Sequence, residues 1–317
     1  MRFLLPFLAG LLTAAGSYAQ SDVVLKKKTV GDTVLLPARD LVLPDPFHGE
    51  KALEALFPGR HYNLSTAAYK NEMINWTCPT CKAVTYPDAN EDEVLPFPYK
   101  NGVATRLINT MDFQDSTGMQ YKVISFNHSE FEEDGFQTSR FTGGLLGLAK
   151  FVKTDAGWKL RMYAPAIKAY GAFSQCPTPK ALLIGQDQYA FVIKHSNGPG
   201  GGPFYSTLYM IAGINGTYQQ IMAAFATEKS GGDPEEGDLS KWTSAYAVPA
   251  SDKKYFRDIV ITTKGNYDTA DLEGFPQEVA SQLKKSKKSG KFVMVQRYVY
   301  KGAKGYELQP GIQVKVN

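Results

Sequence analysis

The sequence predicts an all-β protein of antiparallel strands, and three observations predict it. Short β-branched and aromatic runs recur between turn residues, as in Tyr121–Phe126 (YKVISF) and Tyr189–Lys194 (YAFVIK). Turn chemistry separates them: both positions of Asn215-Gly216 suit the positive φ of a type I′ hairpin, and Asp155-Ala156-Gly157 reads as a second turn. Finally, one order of strands and turns appears three times, starting near Tyr121, Tyr189 and Tyr255, with Trp158, Tyr218 and Tyr306 after each second turn. A period of this size fits units set side by side, in a propeller-like or multi-sheet repeat, with a β-sandwich as the alternative.

The chain divides into three parts. Residues 1–19 read as a signal peptide: Arg2 is a short positive region, Phe3–Ala15 is an apolar run too short to span a bilayer, and Ser17 and Ala19 are the small residues before a cut at Gln20. Residues 20–100 read as an irregular segment. It holds a possible strand at Thr33–Leu36 and a short helix after Asp45-Pro46, whose face is Ala52, Leu53 and Leu56 and which Pro58-Gly59 stops. Tyr62–Tyr99, rich in Asn, Pro and acids, is expected to pack as a cap or extended loop. Residues 101–317 read as the β-rich domain, starting with a strand at Val103–Thr110. One amphipathic helix interrupts it at Pro276–Lys285, with Val279 and Leu283 one turn apart.

Within the repeat region, the first unit is Tyr121–Phe126, Leu145–Val152 and Trp158–Tyr163. The second is Tyr189–Lys194, preceded by the Ala181–Ile184 run, then Ser206–Ile211 and Tyr218–Ala224. The third is Phe256–Ile261, Phe292–Tyr300 and Tyr306–Leu308. Asn197–Pro203 (NGPGGGP) cannot hold a ladder and reads as a loop.

Composition bounds the function. A net charge of +4 is too small to point to nucleic acid. The lysine clusters at Lys26–Lys28 and at Lys284, Lys285, Lys287 and Lys288 read as solvated faces. After the leader no run is long and apolar enough to span a membrane. The localisation expected is therefore periplasmic or secreted, with an unknown extracytoplasmic ligand or envelope component as partner.

Few residues carry obvious chemistry. Cys78-Pro79-Thr80-Cys81 is a redox couple, half a zinc site or a structural disulfide, and Cys176 is the third thiol. In an exported chain two of the three should pair, either as Cys78–Cys81 or as one of them with Cys176. Trp76 before the pair resembles thioredoxins, but no βαβ pattern surrounds it, and Pro79 argues against a following helix. His128-Ser129 and His195-Ser196 each follow the first strand of a unit. If the units are equivalent, these histidines line one face and are the candidate metal or acid–base pair, with Glu132, Glu133 and Asp134 nearby. The loop Gly231–Asp238, with Asp233 and Glu235, offers a loose calcium site but lacks an EF-hand's ligand order. No cofactor is predicted. Sequons stand at Asn63, Asn75, Asn127 and Asn215.

Three runs, Gly157–Leu160 (GWKL), Ile184–Ile193 (IGQDQYAFVI) and Asp258–Gly265 (DIVITTKG), resemble a loosely defined group of secreted bacterial β-rich proteins of unassigned activity, over about residues 121–307. These are strands with their turns, so the resemblance brings no catalytic residue. Members of that group carry a Cys-rich stretch that Ser139–Gly144 lacks, which argues against a metal.

The expected function is non-catalytic binding or an envelope-associated role. Its ligand face is the loops at Asn127–Gly144, Ser196–Pro203 and Ser230–Asp238, with Asn197 among the candidates, because loops on a rigid β scaffold carry recognition. The alternatives are a thiol-redox or metal enzyme built on the CxxC pair or the loop histidines, and a hydrolase with an acidic site that leaves no linear trace.

Overall fold

The computed structural model describes residues 24–63, 72–90, 94–133, 140–199, 202–230, 240–269, 272, 275–286 and 289–316. Residues 1–19, read from sequence as a signal peptide, and Asp134, Asp233 and Glu235 lie outside them. The described strands form two nine-stranded sheets and one two-stranded sheet, an all-β, multi-sheet architecture.

The first sheet is assembled from β1 (Lys28–Thr29), β2 (Val42–Leu43), β3 (Arg60–Asn63), β4 (Glu72–Thr77), β7 (Val103–Gln114), β8 (Gln120–Glu130), β9 (Gly144–Thr154), β10 (Gly157–Ala164) and β11 (Ala169–Tyr170). Its path runs β1-β4-β7-β8-β9-β10-β2. The central strands are buried on both faces, which is why they read as nearly continuous apolar runs. Alternation splits β8: Ile124 and Phe126 face one layer, Tyr121 and Val123 the other. The first layer is closed by α1 (Gly49–Leu56), which buries Ala52, Leu53 and Leu56, and by the hairpin β5 (Val84–Pro87) and β6 (Val94–Phe97), which contributes Phe97. Gly147 is a packing requirement here. A Cβ on it would lie 2.0 Å from the Phe126 ring and 2.5 Å from the Pro165 carbonyl oxygen.

The second sheet runs in chain order: β12 (Lys180–Gly185), β13 (Gln188–Asn197), β14 (Phe204–Ile214), β15 (Thr217–Ser230), β16 (Lys241–Ala247), β17 (Ile259–Asp268), β18 (Ser289–Tyr300) and β19 (Tyr306–Leu308), with β20 (Gln313–Val316) also on β18. The β14–β15 turn has Asn215 at φ 51° and Gly216 at φ 82°, both positive as a type I′ hairpin requires. One face of this sheet packs on the first sheet through Phe191, Ile193, Tyr209, Ile211 and Tyr218. Phe113, Tyr121 and Tyr189 stack between the sheets with ring centroids 5.0 and 4.6 Å apart. The opposite face curls around its own cluster of Ala190, Val192, Leu208, Met210, Ile259 and Ile261. Helix α2 (Gln277–Ser286) buries Val279 and Leu283 beside Trp242, Phe275 and Phe292 at one end.

Several expectations change. The three strand triplets exist as meanders, β8–β10, β13–β15 and β17–β19, but the last two share one sheet, so they do not form separate propeller blades. Thr33–Leu36 is not a strand: Asp32–Leu35 is a 3₁₀ turn that buries Val34. The irregular Tyr62–Tyr99 segment contains β4, whose Trp76 is fully buried in the first sheet.

Candidate ligand pouch in the curled sheet

Ladder register decides what faces the concave side. Residues opposite each other share a face, so Lys180, Val192, Met210 and Met222 form one row, and Lys194, Leu208 and Ala224 the next. Tyr246, Ile261 and Gln296 form a matching row across the curl. Between the two halves lies a groove of about 430 Å³, floored by Val192, Leu208, Ile261 and Tyr246 and rimmed by Lys180, Lys194, Thr227, Glu228 and Ser244.

Local geometry explains why the groove opens. β15 and β16 pair only at Lys229↔Trp242. Ala226 sits at φ 51°, which interrupts β15, and the Trp242 indole N–H donates to its carbonyl at 2.8 Å. Past that point the strands diverge, and Thr227 and Glu228 face Ser244 and Tyr246 across the gap. The other end is closed. Arg257 N–H donates to the Ile184 carbonyl and Gln186 N–H to the Lys254 carbonyl, both at 2.7 Å. Phe256 stacks on Tyr300 with centroids 3.8 Å apart, and the Tyr306 hydroxyl donates to the Arg257 carbonyl at 2.7 Å. The result is a pouch with a sealed apolar base and a polar mouth.

The polar mouth is mostly self-satisfied. Lys194 Nζ reaches both Glu228 oxygens at 3.2 and 3.0 Å. Ser196 and Ser206 hydroxyls bond at 2.8 Å. Ser244 donates to the Thr227 carbonyl and lies 2.7 Å from the Thr263 hydroxyl. Two groups on this face stand apart: Lys180 has no ion pair among the described residues, and the Gln296 Oε1 is buried without a partner.

The residues singled out from sequence lie elsewhere. Cys78 and Cys81 form a disulfide with Cα atoms 5.3 Å apart, and Cys176 is a buried free thiol. The pair closes the turn after β4, and the next element is strand β5, so no helix dipole faces either sulfur. Burial pushes the Cys176 thiol well up. His128 and His195 do not meet. His128 lies on the α1 side of the first sheet among Phe57, Trp76, Phe97 and Phe126. Its Nε2–H donates to the Pro165 carbonyl at 2.9 Å, so Nδ1 accepts from the Thr105 hydroxyl at 2.7 Å, which in turn accepts from the Trp76 indole at 2.8 Å. Burial drops its pKa to about 3. His195 lies in the layer between the sheets. Its Nδ1 accepts from the Gly171 N–H at 2.9 Å, which puts its proton on a buried, unpartnered Nε2. Burial, and then Lys168, lower its pKa against the pull of Asp88.

Among the described residues, no group of three or more His, Cys, Asp and Glu is placed to hold a metal. Glu132 and Glu133 are exposed just past β8, where the Glu133 carbonyl accepts from Leu25 N–H. Asn197 ties the second sheet to the β5–β6 region by donating to the Asn90 carbonyl at 3.3 Å. Of the sequon residues, Asn75 and Asn127 are buried, while Asn63 and Asn215 are exposed. A second surface cavity of about 350 Å³ lies beside α1 and β3, where His61 bonds Glu72 at 2.7 Å.

Sequence reasoning missed the pouch. Its lining is spread over six strands, and only the pairing of Val192 with Lys180 and Met210 brings it to one face. Comparison with protein-family models, curated proteins and solved structures finds no match.

Proposed function

We propose that this is an exported, non-catalytic binding protein that holds a small amphipathic ligand in the pouch of the curled sheet. The supporting observation is the pouch itself: one sealed apolar base, one polar mouth, and a volume within the range of small-molecule sites. Ligand sites form in the mouths of curled and closed β-sheets because backbone pairing fixes the walls while the interior side chains remain free to vary.

Export is part of the same reading. The Cys78–Cys81 disulfide is compatible with an oxidising compartment. No helix among the described residues is long and apolar enough to cross a membrane. Edman sequencing of the protein recovered from outside the cytoplasm is expected to begin at Gln20; a chain beginning at Met1 contradicts export by cleavage.

Binding is tested with Nile red, a neutral apolar fluorophore. The reading expects saturable enhancement in the wild type that Leu208→Glu abolishes and that Val84→Glu, at an exposed position on β5 away from the pouch, does not. Enhancement indifferent to Leu208→Glu refutes it.

A further inference from the structure

The chemistry of the mouth narrows the ligand, an inference that rests on the pouch reading above. We propose that the pouch takes a single-chain amphiphile with an anionic head, its chain over Val192, Leu208 and Ile261 and its head at Lys180.

Three observations carry this. First, the floor is hydrocarbon, and about 430 Å³ lies toward the small end of ligand cavities, which suits one chain rather than two. Second, the charges at the mouth are unequal. Among the described residues two ammonium groups, Lys180 and Lys194, line it with one carboxylate, Glu228, and both oxygens of that carboxylate are engaged by Lys194. A cationic head would have to displace that pair, whereas an anionic head finds Lys180 without an acidic partner among the described residues. Third, Lys180 stands opposite Val192 in the ladder, so its side chain leaves from the concave face where the chain would lie. The Ser244 hydroxyl is already spent on the Thr227 carbonyl, which leaves Lys180 as the charged donor for the head, beside the neutral hydroxyls of Thr178 and Tyr246.

The test uses the mature chain and probes of equal tail length below their micelle-forming concentrations: dodecanoate, monododecyl phosphate, dodecan-1-ol and dodecyltrimethylammonium. Each displaces Nile red, and native mass spectrometry counts the bound molecules. The expected result is one molecule per chain, with at least one anionic probe binding about tenfold tighter than the alcohol or the ammonium. Lys180→Ala lowers the anionic affinity by roughly threefold to fivefold, as for an exposed ion pair, and leaves the alcohol unchanged. Preference between carboxylate and phosphate separates a fatty-acid-like ligand from a phosphate monoester. Equal affinity for all heads with Lys180→Ala inert, or preference for the ammonium, overturns the head assignment while the pouch reading survives. No displacement by any probe, together with Nile red emission insensitive to Leu208→Glu, overturns both.

Discussion

The two nine-stranded sheets use the same antiparallel ladder to different ends. The first is covered on both faces, by α1 and the β5–β6 hairpin on one side and by the second sheet on the other. The second packs on the first through one face, and its other face curls around itself and is covered at one end by α2. In the first sheet, buried polar groups are chained together: Trp76 donates to Thr105, Thr105 to His128, and His128 to the Pro165 carbonyl. On the concave face of the second, Gln296 keeps an unpaired buried oxygen and, among the described residues, Lys180 has no ion pair. The proposed ligand site thus falls on the sheet that is less fully covered. The sealed layers are not fully paired either: the Asn75 amide on β4 and the His195 Nε2 between the sheets are buried without partners, so the two sheets differ in what covers them and not in whether buried polar groups are paired.

That contrast can be broken at several points, and the largest effects should fall in the first sheet. Trp76→Ala removes a fully buried indole that stacks on Phe57 at 5.5 Å and leaves Thr105 with one partner fewer. A loss of about 3–5 kcal/mol is expected in the denaturant midpoint, enough to leave much of the chain unfolded. Acid should act at the same place. His128 binds a proton with an ordinary pKa when unfolded but only near 3 when folded, so the unfolded state takes up more protons as pH falls below about 6.5. Stability is therefore full above that pH and declines between about 6.5 and 3, by a few kcal/mol; His195, shifted the same way, adds to it. In urea titrations His128→Gln should start less stable at neutral pH and show a shallower decline. An unchanged slope would mean that His128 is not held neutral.

Paired truncations sharpen the comparison between the sheets. Leu145→Ala, in the sealed layer, is expected to cost about 3–4 kcal/mol, and Leu208→Ala, beside the pouch, no more than about 2, because water or a ligand can enter the space it leaves. Equal costs would argue that the groove is a packed core. Opening the disulfide with Cys78→Ser and Cys81→Ser together removes a very short loop closure and should lower stability by about 2 kcal/mol. Nile red binding should be unchanged, since neither sulfur lines the pouch. Smallest of all is Gln296→Leu, which deletes a buried, unpartnered Oε1 and should leave the ligand-free protein unchanged or slightly more stable, by up to about 1 kcal/mol.

Much of the fold was legible in local pattern, because the strands are long and their turns carry specific chemistry. YAFVIK lies inside β13, YKVISF inside β8, and Val279 and Leu283 are the buried face of α2. The failures have physical causes. FRDIVI suggested a strand from Phe256, but Phe256 sits at φ 48° in the segment that seals the pouch, and β17 starts at Ile259. β4 was hidden because its buried set includes Asn75, a residue that sequence pattern assigns to loops. The His-Ser pairs suggested equivalent sites, but similar strand ends land on different layers once β13 joins a second sheet. The pouch was least legible of all. Its Lys180–Val192–Met210 row exists only through register, and the β15–β16 gap adjoins a residue, Ala226, whose positive φ no sequence pattern announces.

The most direct test of the account is amide hydrogen exchange on the mature chain, with and without saturating dodecanoate. Binding in the pouch predicts slowed exchange confined to β12–β17, strongest beside the gap at Thr227–Glu228 and Ser244–Tyr246, with β4, β7, β8 and β9 unaffected. Protection centred on the first sheet, on the cavity beside α1, or nowhere at all would contradict the claim that the curled face of the second sheet is where this protein meets its ligand.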